Sequence, residues 1–185
     1  MNMLETKRLI LREWKESDAQ ALFEYAKDER VGPITGWPPH TSIENSKEII
    51  RTVLMNELTF AVTLKDEPER AIGSIGIMLN KGEKRFPFMN ENDAEIGFCL
   101  GVPFWGNGYI PEAVNRLLTY CFEELSVDNV WCGYYEGNDQ SKRVQEKVGF
   151  AYERTEKQLF VPLLKEYRDE HFTKLTSKEW KISKQ

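Results

Sequence analysis

Apolar and polar positions change period several times along the chain. Residues 4–11 (LETKRLIL) are apolar at both ends and predict an opening strand. Ser17 and Asp18 stand where a helix N-cap belongs, ahead of Ala21, Leu22 and Tyr25 at helical spacing. Residues 32–41 (GPITGWPPHT) are dense in Gly and Pro and predict a loop. Ser42 can cap a second helix, with Ile43, Ser46, Ile49, Ile50 and Val53 along one side. After Asn56 the period shortens. Residues 58–64 (LTFAVTL) and 71–79 (AIGSIGIML) predict a hairpin joined by a charged turn at 65–70.

A loop over 80–92, holding Lys81, Lys84, Arg85 and Pro87, leads to a third strand at 94–100 (AEIGFCL). Its alternation puts Ala94, Ile96, Phe98 and Leu100 on one face and Glu95, Gly97 and Cys99 on the other. Farther on, Val114, Leu117, Leu118, Cys121, Phe122 and Leu125 recur at helical spacing, the mark of an amphipathic helix. A strand at 129–135, a short helix near 139–147 and strands near 150–160 and 167–176 follow. This order predicts an α/β (α+β) fold, a mixed sheet flanked by helices. No repeat, low-complexity tract or linker divides the 185 residues, so one domain over 1–185 is expected.

Composition narrows the function. Lys plus Arg number 25 and Asp plus Glu 30, a net charge of −5. A protein held on nucleic acid is expected to be basic, so that partner is excluded. One phosphorylated small molecule bound through backbone amides is not. No apolar run reaches the roughly 18–20 residues that span a bilayer. Glu5, Lys7 and Arg8 interrupt the amino terminus, unlike a secretory signal. A cytoplasmic protein without a membrane partner is expected. Cys99, Cys121 and Cys132 are odd in number and lack metal-ligand or CxxC spacing. They read as reduced core residues, with no metal expected.

The chemistry concentrates between the third strand and the amphipathic helix, in Trp105-Gly106-Asn107-Gly108-Tyr109-Ile110-Pro111. Two glycines two apart let the backbone turn tightly and approach a ligand. Pro111 fits a first helical turn, where its missing N–H would have had no partner. The amides of Asn107, Gly108, Tyr109 and Ile110 are then candidate phosphate donors at a helix N-terminus. A plain strand-to-helix connection would use the same residues. A P-loop needs GK[ST] after its glycines, and a dinucleotide fingerprint needs a third Gly where Pro111 stands. Downstream, Asn138 follows a strand and precedes a helix, so it can cap that helix or hold a ligand's amide groups. Gly149 suits a helix end, with Phe150 opening the next strand.

Together AEIGFCL (94–100), WGNGYIPEAV (105–114) and NDQS…EKVGF (138–150) resemble the GNAT superfamily of acetyl-CoA-dependent N-acetyltransferases. The closer likeness is to the branch typified by ribosomal-protein N-terminal (alanine) acetyltransferases. Residues 4–26, the WPPHTS loop (37–42) and KLTSKEW (174–180) share it, so it covers nearly the whole chain. The resemblance implies a mostly antiparallel sheet of about seven strands, splayed at its centre, with about four helices. It places the pantetheine arm of acetyl-CoA in the splay and the diphosphate on the amides of residues 106–110. Asn138 and Ser141 would touch the arm near the thiol. Pro103 fits a place where the ladder is interrupted.

The implied reaction is direct attack of a primary amine on the thioester. Glu95 matches the family's carboxylate and is the expected base, through a water or as a guide for the ammonium. A backbone amide of Leu100 or Val102 would polarise the carbonyl, and Ser141 would assist the leaving thiolate. Many members carry a Tyr as acid where this chain has Gln145, which cannot donate a proton. Trp105 and Ile110 also replace the usual loop residues. Trp37 and His40 would form part of the acceptor wall. The expected acceptor is a protein or peptide N-terminal α-amine. A polyamine or aminoglycoside-like amine is the alternative, as is a non-catalytic acyl-CoA-binding module. A homodimer through the late strands is compatible with the sequence. His171 reads as structural, and Lys174, Lys178, Lys181 and Lys184 as a solvated end.

Overall fold

The computed structural model describes residues 3–82 and 86–184; Lys84 and Arg85 of the predicted loop and the start of the amino terminus lie outside them. Eight strands form one sheet in the order β1-β2-β3-β4-β5-β6-β8-β7. They are β1 (Leu4–Glu5), β2 (Leu9–Glu13), β3 (Thr59–Leu64), β4 (Glu67–Leu79), β5 (Asp93–Leu100), β6 (Asn129–Tyr135), β7 (Ala151–Val161) and β8 (Glu166–Thr176). All neighbours are antiparallel except β5 and β6. The helices are α1 (Ala19–Ala26), α2 (Gly32–Thr35), α3 (Ile43–Ile49), α4 (Tyr109–Thr119), α5 (Asp139–Lys147) and α6 (Ser177–Ser183).

The parallel pair decides the shape of the site. β5 and β6 are in register only over Asp93–Glu95 and Asn129–Trp131. Beyond that the strands part, bridged by the Cys132 thiol on the Ile96 carbonyl at 3.1 Å. One face of the sheet packs Ile96 and Leu100 against Ile110, Val114, Leu117 and Leu118 of α4. The other packs Ala61 and Ala71 under Leu22, Tyr25 and Ile50 beside α1 and α3. The amphipathic stripe of α4 is legible for the ordinary reason that residues three and four apart share a face.

Several expectations are corrected. The opening strand is two: Leu4 pairs back on Leu11, because Thr6 turns the chain by accepting the Leu9 amide at 2.9 Å. Asp18 caps nothing ahead of it. Its carboxylate takes the Lys15 amide and a buried bidentate pair with Arg12, at 2.8 and 2.7 Å. Within 32–41 a single turn, α2, forms with Pro33 in its first turn and the left-handed Gly36 (φ 100°) ending it. Ser42 does cap α3, by accepting the Asn45 amide. A wide π-turn over Ile50–Leu54 then adds a residue, so Leu54 packs inward and Val53 is exposed. The charged turn shrinks to Lys65 and Asp66, since β4 already begins at Glu67.

Lys178, Lys181 and Lys184 are exposed, as expected, but they sit on or directly after a short helix anchored to the core. Thr176 and Glu179 form a capping box that starts α6, and Trp180 is buried against Phe122 with ring centroids 5.3 Å apart. Lys174 belongs to β8 and pairs with Glu153 at 3.0 Å. Among the described residues there are thus eight strands and six α-helices, close to the about seven and about four expected.

Candidate active site

The glycine loop closes the mouth of the splay. Gly106 (φ 77°) and Gly108 (φ 75°) both take the left-handed conformation, the region in which a Cβ is strained. This twist turns successive amides toward one concavity. Among the described residues, no protein acceptor takes the amides of Gly106, Asn107, Gly108, Tyr109 or Ile110; the first helical bond is Glu112 to the Gly108 carbonyl. The loop is held from behind. Arg8 donates to the Asn107 carbonyl at 3.0 Å and lies over the Tyr109 ring at 4.6 Å. Its Nε also pairs with Glu112 at 2.7 Å. Burial raises the Glu112 pKa, but bonds from Thr6 and from the Arg8 amide and guanidinium outweigh it and hold the carboxyl below its ordinary value.

The loop opens into a cleft of about 410 Å³ between α2, β5, α4 and α5. Arg143 and Lys147 line it, with Arg30 beside them paired to Asp28, so the field there suits an anion. One wall is the free side of β5. Gly101 donates to the Ile72 carbonyl, and Gly73 stands opposite Leu100. In an antiparallel ladder this turns Cys99 and Gly101 toward β4, and Phe98 and Leu100 the other way, into the gap that β6 has left. The Leu100 carbonyl accepts the Trp105 indole at 2.8 Å, leaving the Leu100 amide facing the cleft. The residues present thus fit a coenzyme A arm: an unpaired strand edge for pantetheine and unengaged amides for the diphosphate.

A second cavity, of about 140 Å³, lies across the splay and is lined by Glu95, Glu170, Tyr134 and Tyr135. Glu95 is 6% exposed. Both carboxylates face Cys132, whose thiol is pushed well above its usual range, first by burial and then by Glu95 and Glu170. The cleft and this pocket share Ile34, Thr35, Phe98, Asn138 and Ser141. A reacting carbonyl at that junction would have an amine site on one side and the coenzyme arm on the other.

The structure brings Glu95, Leu100, Asn138, Ser141, Gly106, Gly108, Tyr109 and Ile110 to this junction or its cleft, while Asn107 lines neither cavity. Asn138 spends its side chain on the protein: Oδ1 accepts the Ser141 amide at 3.1 Å, capping α5, and Nδ2 donates to the Ile34 carbonyl at 3.2 Å. Val102 lines a separate depression with Tyr25 and Pro103 rather than the cleft. Trp37 and His40 line neither cavity. Their rings pack tilted, with centroids 5.3 Å apart, with His40 Nδ1 on Ser46 Oγ at 2.8 Å and its imidazole pKa lowered by burial. Sequence reasoning missed Arg8 and Glu170. The charged turn preceding β2 and the acid-rich 166–170 stretch are visible in the chain, but nothing local ties either to the glycine loop or to Glu95.

Residues 8–151 match the family described as Acetyltransferase (GNAT) domain. The chain belongs to this family. The acetyltransferase is 30% identical over 157 residues to YoaA of Bacillus subtilis, described as an uncharacterized N-acetyltransferase, covering 82% of this chain and 84% of the relative. It is 28% identical to YnaD of the same organism over 177 residues, 96% of this chain and 98% of the relative, with the same description. Its fold matches an acetyltransferase (GNAT family) from Bacillus anthracis with a TM-score of 0.78 at 24% identity, covering 96% of this chain and 100% of that one. It also matches the ribosomal-protein-S5-alanine acetyltransferase from Vibrio fischeri, with a TM-score of 0.69 at 24% identity over 97% and 99% of the two chains. The chain is accordingly an acetyl-CoA-dependent N-acetyltransferase that requires an amine acceptor. Among the described residues no helix is long and apolar enough to cross a membrane.

Proposed function

We propose that this acetyltransferase modifies the N-terminal α-amine of a protein or peptide, in the manner of the ribosomal-protein branch, as one domain spanning 1–185. The observation that carries the reading is the shared wall: Ile34, Thr35, Phe98, Asn138 and Ser141 border both the basic coenzyme cleft and the carboxylate-lined pocket. Glu95 and Glu170 attract an ammonium, and the pocket has about a third of the cleft's volume. A chain end with a small first side chain fits that space better than a linked set of sugar rings.

In this reading Glu95 takes the ammonium proton, directly or through a water, so that the neutral amine can attack. The Leu100 amide donates to the carbonyl oxygen as negative charge develops there. Gly106, Asn107, Gly108, Tyr109 and Ile110 hold the diphosphate, and Asn138 shapes the wall beside the arm. Holding both reactants at one junction removes much of the entropic cost of their meeting. Acetyl-CoA supplies the activated acyl group, and a thiolate is a fair leaving group, since even free Cys loses its proton at ~8.5, far below an alcohol.

The test is a thiol-release screen with acetyl-CoA over short peptides of different first residue, polyamines and aminoglycosides. Peptides beginning with Ala or Ser should be fastest. Faster turnover of a polyamine or an aminoglycoside would overturn the acceptor assignment.

A further inference from the structure

Gln145 occupies the place where many relatives carry a tyrosine acid, yet its side chain never reaches solvent: it is 1% exposed. Its amide is fully engaged. Nε2 lies 3.2 Å from the Gly133 carbonyl, which can only accept, so the nitrogen end of the amide is fixed. Oε1 consequently takes the Thr173 hydroxyl, at 2.7 Å, a shorter contact than the 3.2 Å that the same hydroxyl makes to the Cys132 carbonyl. The second Nε2 hydrogen reaches Ser141 Oγ at 3.0 Å. Ser141 is an acceptor in that contact, and its own proton must point elsewhere. Among the described residues it meets no protein acceptor, and Ser141 borders the junction of cleft and pocket.

We infer that Gln145, oriented by Thr173, is a positioning residue that makes Ser141 a one-way hydrogen-bond donor to the sulfur of the departing coenzyme. The inference rests on the acetyl-transfer reading above. In the step concerned a C–N bond forms and the C–S bond breaks, with the electron pair leaving on sulfur. Nitrogen sheds two protons: the first passes from the ammonium through Glu95 to solvent before the attack, and the second leaves the adduct nitrogen for solvent as the C–S bond breaks. Ser141 keeps its proton and lends only the hydrogen bond, and the thiolate is protonated later by water. The missing tyrosine is thereby replaced by a serine whose direction is set from the sheet, through the chain Thr173, Gln145, Ser141.

A double-mutant cycle tests this, using acetyl-CoA and the best peptide of the screen. Ser141→Ala and Gln145→Leu should each lower kcat about tenfold, the scale of one hydrogen bond to a charged group. KM for acetyl-CoA should stay within about twofold. The double variant should be no slower than Ser141→Ala alone, because the second change acts only through the first. Gln145→Glu should reverse the bond, since a carboxylate accepts from Ser141. Its kcat should recover toward acid pH as that carboxylate protonates, whereas wild type should not gain. If Ser141→Ala is impaired but Gln145→Leu is not, or if Gln145→Leu costs as much again without Ser141, the positioning role is overturned while acetyl transfer stands. If Ser141→Ala turns over normally while Glu95→Gln is dead, Ser141 and the relay both fall and the transferase reading survives. Thermal unfolding of each variant checks the fold. Should Gln145→Leu unfold, Thr173→Val makes the same test by removing only the hydroxyl that holds Oε1, with a fall of several-fold in kcat expected and no fall overturning the relay.

Discussion

Glu112, in the first turn of α4, accepts the Nε–H of Arg8 at 2.7 Å, joining the β1–β2 turn to the glycine loop across 104 residues of chain. The same guanidinium holds the Asn107 carbonyl and covers the Tyr109 ring. With the carbonyl side of the loop restrained, its amides stay turned toward the cleft. Arg8→Ala should therefore weaken coenzyme A by about tenfold, the scale of a charge-assisted bond. Isothermal titration with coenzyme A measures it, and kcat at saturating acetyl-CoA should change by less than about twofold.

The same pair predicts a pH dependence. The Glu112 pKa is lower in the folded protein than its ordinary value of 4.5. Its stabilisation is thus complete above 4.5 and fades as pH falls through the lowered folded value. Thermal midpoints of wild type and Glu112→Gln should differ at pH 7 and converge well below pH 4. A gap that widens on acidification would refute the sign.

Gly108 is left-handed at φ 75°, and an added Cβ there would meet only Arg8, at 3.7 Å. Gly108→Ala is consequently a backbone effect, costing about 1–2 kcal/mol of local strain. Relief of that strain turns the amides away, so KM for acetyl-CoA should rise several-fold while affinity for the amine is unchanged. Steady-state kinetics with each substrate varied in turn separates the two.

Glu95 is buried on β5 beside the open junction. Glu95→Gln should lower kcat/KM by about 10²–10⁴, the usual contribution of a positioned base, and flatten the acidic limb of the pH–rate profile. Glu170→Gln should act differently, raising KM for the amine with a smaller change in kcat. Equal effects of both on acetyl-CoA binding would contradict the placement of the two carboxylates on the amine side.

Trp180 is 6% exposed and packs on Phe122. Trp180→Ala should cost about 3–5 kcal/mol of stability, read from urea unfolding, and leave KM for acetyl-CoA unchanged because α6 lies away from the cleft.

Short-range patterns are legible in the chain alone. The spacing of Val114, Leu117, Leu118 and Cys121 specifies a helix because side chains three and four apart share a face. Gly106, Gly108 and Pro111 specify a turn into that helix, the glycines by admitting positive φ and the proline by fixing its own. Glu95 is placed on the opposite face from Ile96 by simple alternation. By itself, then, the sequence determined the longer strands and helices from 58 to 176, the glycine loop and the family's motifs. Tertiary structure alone decided the rest. That Arg8 braces the loop, that Glu170 joins Glu95, that Val102 leaves the cleft and that Gln145 directs Ser141 all depend on strands distant in the chain. Those distances are set by sheet register and by the three-residue pairing of β5 with β6. No local propensity encodes them, because a side chain's neighbours across a sheet are chosen by how the whole core packs.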